Sequence, residues 1–272
     1  MMKSRAPVSV IIPCFCCAST IGRAVESILL QTLLPAELIL VDDYSNDGGL
    51  TIAKLKQIQD QYQSEIKIVV LEMKKNDGPG SSRNLGWSIA TQPYIAFLDA
   101  DDSWHSKKIE IQYGWMESHP EAALSGHLSN VLLKEGDLPV VEKVSFKKIT
   151  LNSLLLKNCL PTRSVMLKTA LAERFFTGKR QAEDYLLWLQ IAFTGAPIFL
   201  INAPLAFSYK SDFGSAGLNA NLEESFLGVK DTYRKLWSTG QISFWNYSFY
   251  IALTYVKHFH RQVLVGLRRS RA

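Results

Sequence analysis

The sequence predicts an α/β fold, a Rossmann-like and mostly parallel sheet with helices on both faces. Two observations lead there. Four short apolar runs, at residues 8–12, 37–41, 66–71 and 94–98, alternate with segments whose apolar residues recur at helical spacing. Acidic residues directly follow two of these runs, Asp42-Asp43 after the second and Asp99-Ala100-Asp101-Asp102 after the fourth. In open parallel sheets ligands bind beyond the carboxyl ends of the strands, which is where both acidic groups fall.

Residues 8–12 (VSVII) read as a buried strand that Pro13 ends. Ile21, Val25, Ile28 and Leu29 mark the next helix, with Ser19 or Thr20 as its cap and Pro35 as its stop. Residues 37–41 (ELILV) are the second strand, and Asp47 caps a helix marked by Ile52, Leu55 and Ile58. Residues 66–71 (IKIVVL) are the third strand, 76–80 (NDGPG) a loop by composition, and 82–90 a helix carrying Arg83, Asn84 and Trp87. The fourth strand, 94–98 (YIAFL), runs into the acidic cluster.

Beyond Trp104 the pattern loosens. It predicts a helix over 109–116, a strand within 122–133, a turn at 135–137, a helix over 146–156, a loop at 158–162 and a strand at 164–167. A helix over 183–192 follows, then a strand from 198 with extended chain over 204–209. Residues 211–221, rich in Gly, Ser and Asn, read as a mobile loop or linker before a helix at 222–237. The chain thus divides into a domain over 1–210 and a helical, basic extension over 211–272.

Three carboxylates at one strand end repel, and each raises the pKa of its neighbours. A hard divalent cation, Mg²⁺ or Mn²⁺, relieves that repulsion and leaves positions for phosphate oxygens. A solvated turn with Ser103 as a helix cap is the alternative. Asp184 opens the helix over 183–192 and shares a face with Trp188 and Ile191. A carboxylate there is either a cap favoured by the helix dipole or a general base facing the cleft.

Other classes fall away. The net charge of +5 is mild and no nucleic-acid module is recognisable, so nucleic acid is not an expected partner. Pro13-Cys14-Phe15-Cys16-Cys17 follows the first strand where a dinucleotide fold carries GxGxxG, and no Walker A lysine loop is present. The four cysteines lack a second ligand cluster for zinc, and reduced thiols of a cytoplasmic protein are expected. The apolar run 8–12 is too short for a signal peptide, and no uniformly apolar stretch is long enough to span a bilayer.

Five segments, taken in order, resemble the inverting family 2 glycosyltransferases of the GT-A fold. VSVIIP at 8–13 resembles the family's first strand, and VDDYSND at 41–47 its VDDGSTD signature, with Tyr44 where glycine is usual. Arg83-Asn84 and Gly86 resemble the ARNxG segment, with Ser82 in place of alanine. Asp99-Ala100-Asp101-Asp102 resembles the extended DxD motif, and Glu183-Asp184 ahead of Trp188 the ED motif. The resemblance reaches to about Ile201.

It implies a nucleotide-sugar-binding half over 1–105 and an acceptor-binding half over 106–210. It also implies that Pro13, Asp43, Arg83, Asp99 and Asp101 bind the donor, that Asp101 or Asp102 holds Mg²⁺ or Mn²⁺, and that Asp184 is the catalytic base. The family's processive members carry QxxRW and several spanning helices, neither evident here, so one sugar per acceptor is expected. The implied reaction is transfer from a nucleoside-diphosphate sugar, with UDP favoured, to a hydroxyl of a glycan or polyprenyl-diphosphate-linked acceptor in bacterial surface polysaccharide synthesis. The alternatives are a nucleotidyltransferase acting on sugar phosphates, which would carry a Gly- and Lys-rich phosphate loop, and a catalytically silent nucleotide-sugar-binding module.

The tail adds a last expectation. Residues 242–256 carry no charge and include Phe244, Trp245, Tyr247, Phe249, Tyr250 and Tyr255; Lys257, Arg261, Arg268, Arg269 and Arg271 follow. Aromatic and basic residues together suit the surface of an anionic membrane, peripheral on its cytoplasmic face. A helix packed on the core, with Trp245 and Phe249 against the catalytic domain, is the alternative.

Overall fold

The computed structural model describes residues 4–132, 141, 144–209 and 222–269. The first half runs β1 (Arg5–Cys14), α1 (Ile21–Leu29), β2 (Leu34–Asp42), α2 (Leu50–Tyr62), β3 (Lys67–Glu72), α3 (Pro79–Ile89) and β4 (Tyr94–Phe97). The second half runs β5 (Ser103–Trp104), α4 (Lys108–Ser118), β6 (Leu124–Val131), β7 (Phe146–Ile149), α5 (Leu151–Leu156), β8 (Met166–Lys168), α6 (Glu183–Phe193) and β9 (Ile198–Ser208). Two long helices close the chain, α7 (Leu222–Ser238) and α8 (Phe244–Arg269). Among the described residues one sheet forms, in the order β3-β2-β1-β4-β8-β6-β9-β5, with β7 alongside β9.

The first four strands are parallel, β1 lying between β2 and β4 and β3 beyond β2. Strand β8 is antiparallel to β4 and β6, while β6 and β9 run parallel. Why the apolar runs of the first half are nearly continuous is visible in the packing. Val8, Val10 and Ile12 of β1 join Leu38 and Leu40 of β2 in one cluster, against Ile21, Val25 and Ile28 of α1 and Leu55 and Ile58 of α2. Ile11, Ile39, Ile95 and Phe97 point to the opposite face, against Trp87 of α3 and Leu186 and Trp188 of α6. Alternate residues of each strand are therefore buried on both sides of the sheet. The α3 helix sits close on β1 because residue 86 is glycine: a Cβ there would lie 2.6 Å from Cγ2 of Ile11.

Several local expectations change. Helix α1 ends at Leu29, before Pro35, which lies in β2 next to a register shift between Ala6 and Ser9 of β1. Thr20 occupies the N-cap position without capping, its hydroxyl bonding the Cys17 carbonyl instead. Gly49 is the N-cap of α2, but Asp47 does accept from the Thr51 amide at 3.0 Å and the Thr51 hydroxyl at 2.6 Å. Helix α3 starts at Pro79, whose missing N–H costs nothing at the first helical turn. The helix expected over 146–156 is a strand and a shorter helix: β7 pairs with β9, and Thr150 caps α5 by accepting from the Ser153 amide at 3.2 Å. The strand expected at 164–167 begins later, at Met166, after a 3₁₀ turn over Thr162–Ser164. The turn at 135–137 and the segment 211–221 lie outside the described residues.

All four cysteines are free, with Cys14 and Cys17 buried. Among the described residues no helix is long and apolar enough to cross a membrane. The last two helices share the core of the domain, since Tyr233, Leu236, Ile242 and Tyr250 belong to the same cluster as Phe97 and Trp188.

Candidate active site

The acidic residues at the strand ends do not float in a solvated turn. Asp43, just past β2, is buried, and its amide donates to the Cys14 carbonyl at 2.7 Å. One of its carboxylate oxygens accepts from the Asp77 amide at 3.0 Å and the other from the Gly78 amide at 2.9 Å. Asn76 closes the same loop by donating to the Asp43 carbonyl at 2.9 Å. Burial pushes the Asp43 carboxyl up, against the pull of those two amides. Arg180 reaches this loop from the other side, donating to the Asn76 carbonyl at 3.1 Å and to its side-chain oxygen. The neighbour Tyr44 is exposed and holds φ +56°. This left-handed conformation strains an L side chain, and glycine would adopt it freely.

Pro13 lies at the end of β1, opposite Val41. The loop after it is tied to the loop after β2: the Cys16 amide donates to the Ser45 hydroxyl and the Cys17 amide to the Thr51 hydroxyl, both at 2.9 Å. The carboxylate of Asp42 accepts from that same Ser45 hydroxyl at 2.5 Å.

At the centre stands Arg83, on α3 and almost fully buried. One terminal nitrogen donates to Asp99 at 2.6 Å and the other to Glu183 at 3.0 Å. Burial alone lowers the pKa of a guanidinium, but Asp99 and Glu183 outweigh it and the net shift is upward. Arg83 is held over the Phe175 ring, 5.4 Å from its centroid. Its neighbour Asn84 fixes the Phe175 backbone, donating to the carbonyl at 2.7 Å and accepting from the amide at 3.0 Å.

Glu183 and Asp184 occupy the first turn of α6, which starts after Ala182 in a left-handed conformation. Burial and the adjacent Asp184 push the Glu183 carboxyl up to about 7 despite Arg83. Asp184 is half-buried. One oxygen accepts from the Tyr185 amide at 2.6 Å; the other accepts from the Thr162 hydroxyl at 3.1 Å and the Asn158 amide group at 3.3 Å. Burial raises its pKa too, and these donors with Arg83 hold the rise back.

Asp99, Asp101 and Asp102 leave β4 in a tight turn in which the Asp102 amide donates to the Asp99 carbonyl at 3.1 Å. Asp99 keeps about a quarter of its side chain exposed, 27%. Asp102 is buried and pairs with Arg163 at 3.0 Å. Burial, Asp99 and Asp101 together push its carboxyl up to about 7, against Arg163. The Asp101 carbonyl accepts from Arg23 at 2.7 Å.

Among the described residues no group of three or more His, Cys, Asp or Glu is set to hold a metal ion. The donor chemistry still fits Mg²⁺ or Mn²⁺ in one respect. Such ions are commonly held by one or two carboxylates, with substrate phosphates and water completing the shell. Burial first, and then Asp99 and Asp101, lift the Asp102 carboxyl, and a dication would offset the part that comes from the two neighbouring carboxylates.

The fold thus brings Arg83, Asp99, Glu183 and Asp184 into one connected group, with Asp101 and Asp102 on the adjoining turn. Asp43 and Pro13 stand at the ends of the two neighbouring strands. Sequence reasoning gave no role to Asn158, Thr162, Arg163 or Arg180, nor to Glu183 as the partner of Arg83. The only signal for the first three was their clustering in the polar loop ahead of β8.

This mixed α/β fold is that of the GT-A glycosyltransferases. Staphylococcus aureus TarS 1-349, solved in complex with UDP-GlcNAc, superposes with a TM-score of 0.64 at 20% identity, over 84% of this chain and 66% of that one. The mannosyltransferase PcManGT of Pyrobaculum calidifontis, solved with GDP-Man and Mn²⁺, gives 0.62 at 18% identity, over 85% and 64%. The chain belongs to glycosyl transferase family 2, whose model matches residues 9–174. By sequence it is 35% identical over 185 residues to the Escherichia coli UDP-Glc:alpha-D-GlcNAc-diphosphoundecaprenol beta-1,3-glucosyltransferase WfgD, covering 68% of this chain and 69% of that protein. Some relatives are longer; the chain spans 30% of a Rickettsia felis glycosyltransferase that is 34% identical to it.

Proposed function

We propose that this chain transfers one sugar, with inversion, from a UDP-sugar to a hydroxyl of a glycan or polyprenyl-diphosphate-linked acceptor in bacterial surface polysaccharide synthesis. The observation that supports the reading is the Asp99–Arg83–Glu183 chain of ion pairs, which ties the end of β4 to the start of α6, where Asp184, the base in this reading, stands. The donor class is supported by TarS, solved with UDP-GlcNAc, and the acceptor class by the lipid diphosphate in the name of WfgD.

In this reading Pro13, Asp43, Arg83, Asp99 and Asp101 line the donor site. Asp43 serves partly through the loop it holds, since both its oxygens already accept backbone amides. The acceptor hydroxyl gives its proton to the Asp184 carboxylate as its oxygen attacks the anomeric carbon. The bond to the diphosphate breaks on the opposite face, and the nucleoside diphosphate leaves with the electron pair. A carboxylate whose pKa is lifted by burial is a better proton acceptor than a solvated one. Thr162, Asn158 and the Tyr185 amide orient it. Asp101 and Asp102 would hold Mg²⁺ or Mn²⁺, which supplies countercharge to the leaving diphosphate.

A panel of nucleotide sugars, offered to the purified protein with Mn²⁺ and a polyprenyl-diphosphate-linked sugar, tests the assignment. A UDP-sugar should be consumed in preference to the rest. Preference for a donor lacking a nucleoside diphosphate would overturn it.

A further inference from the structure

The loop ahead of β8 closes in the 3₁₀ turn at Thr162–Ser164, and two adjacent residues of that turn reach the two acidic groups of the site. Thr162 donates its hydroxyl to Asp184 at 3.1 Å. Arg163 donates from Nη1 to Asp102 at 3.0 Å. Its Nε donates to the Ser129 hydroxyl of β6, and its carbonyl accepts from the Trp104 indole, both at 2.8 Å. Trp104 lies two residues beyond Asp102, so Arg163 grips the acidic segment twice, once by a carboxylate and once by an indole.

The turn itself is firmly seated. The Ser164 amide and hydroxyl both donate to the Pro161 carbonyl, at 2.8 and 2.7 Å. Buried Gln112 of α4 donates to the Ser164 carbonyl at 3.0 Å, and the Phe97 amide of β4 to the Val165 carbonyl at 3.2 Å. From α6 the Trp188 indole donates to the Leu160 carbonyl at 3.0 Å. Three elements of the core therefore fix the backbone that carries Thr162 and Arg163. The residue type at 163 matters as well. A guanidinium offers Nε and Nη1 to two separate acceptors from one planar group, where a lysine has one nitrogen to place. Burial lowers the pKa of Arg163, but Asp102, Asp99 and Asp101 outweigh it, and the side chain stays a cation beside the acidic turn.

We propose that Arg163 is a positioning residue of the transfer: it orients the Asp102 carboxylate that would hold the metal, and its peptide bond to Thr162 keeps that carboxylate in register with the base Asp184. The proposal rests on the roles given above to Asp102 and Asp184. Arg83 braces the acidic turn against α6 through Asp99 and Glu183, and the 3₁₀ turn is a second brace between the same two parts. Groups that hold a metal ligand from behind set its orientation and so act on metal affinity without touching the metal.

The test compares the full chain with Arg163→Gln, Arg163→Lys and Thr162→Val. Calorimetry with UDP and Mn²⁺ reads the metal side. Turnover at saturating Mn²⁺ and donor, followed across pH with the UDP-sugar that the panel above selects and a polyprenyl-diphosphate-linked sugar, reads the base side. Arg163→Gln should weaken Mn²⁺-dependent UDP binding by about 10–100-fold, and its kcat should stay down by about tenfold or more even at saturation. Arg163→Lys should show both losses to a smaller extent, and it carries the test should Arg163→Gln fail to fold. Thr162→Val should leave UDP binding unchanged. It removes a donor to the ionised base, so the acid limb of its kcat profile should move up by about one pH unit. Folded Arg163 variants with wild-type UDP affinity would overturn the proposal. So would kcat restored in full at saturation, an unmoved pH profile in Thr162→Val, or tighter Mn²⁺-dependent binding in Arg163→Gln, which would mean that the guanidinium competes with the metal for Asp102. Failure of the underlying reading would show in the wild type alone, as no Mn²⁺-dependent UDP binding and no UDP-sugar consumed, and would remove this proposal with it.

Discussion

Arg83 and Glu183 stand a hundred residues apart in the chain and meet at 3.0 Å in the interior. The link joins α3, which packs on the parallel half of the sheet, to α6, which carries Asp184. Glycine at residue 80 lets the two helices approach, since a Cβ there would lie 3.2 Å from Cβ of Phe175 and 3.3 Å from Cγ of Glu183. The other arm of Arg83 holds Asp99, so one side chain fixes the distance between the DxD turn and the start of α6.

Arg83→Ala should therefore damage both fold and activity. It leaves Glu183 buried without its counter-charge, and breaking a buried pair from one side costs about 3–5 kcal/mol. Denaturant unfolding should show that loss, with UDP affinity falling in parallel. A loss below about 1 kcal/mol would mean that the two ion pairs do not hold the helices together.

The pH dependence of Glu183 has a definite sign. Its carboxyl titrates near 4.5 when unperturbed and is pushed up to about 7 in the folded protein, chiefly by burial. Between those values the folded state holds a proton that the unfolded chain has released. The contribution of this group to stability is thus complete below about 4.5 and is lost as pH rises through about 7. Glu183→Gln removes the titration. Calorimetric melting of both proteins should show wild type losing stability relative to the variant as pH rises from 5 to about 8. A difference that is flat, or grows with pH, would contradict this.

Asp184→Asn keeps an oxygen to accept from Thr162 or Tyr185 but cannot take a proton. Turnover should fall by about 10²–10⁴-fold with UDP affinity nearly unchanged, the range for loss of a positioned base. Equal turnover in the variant would reduce Asp184 to a helix cap.

Asp101→Asn leaves the buried Asp102–Arg163 pair intact, so folding should be unaffected. Calorimetry should show Mn²⁺-dependent UDP binding weakened by about tenfold or more, and lost when Asp102→Asn is added. Unchanged affinity in the double variant would remove both residues from the metal site.

Legibility in the sequence followed the physics of each part. Strands buried on both faces leave nearly continuous apolar runs, so β1 to β4 and the helices between them stand out. Strand β7 does not: Phe146-Lys147-Lys148-Ile149 is too short and too charged to differ from a helix start, and its pairing with β9 is decided fifty residues later. The strand-end carboxylates were visible as a local excess of charge. Their partners were not, because Arg163 reaches Asp102, and Thr162 and Asn158 reach Asp184, through sheet topology rather than through any spacing in the chain. In α8 composition marked an aromatic and basic segment, but only the packing against α7 showed which aromatic residues face outward.

The most direct measurement follows the released product and the anomeric configuration together, by NMR, as the protein acts on a UDP-sugar with Mn²⁺ and a polyprenyl-diphosphate-linked acceptor. The account predicts free UDP in step with a new glycosidic bond of opposite anomeric configuration to the donor, and the near-loss of both in Asp184→Asn. Release of pyrophosphate from a nucleoside triphosphate and a sugar phosphate in its place, or a product that retains the donor's configuration, would contradict it.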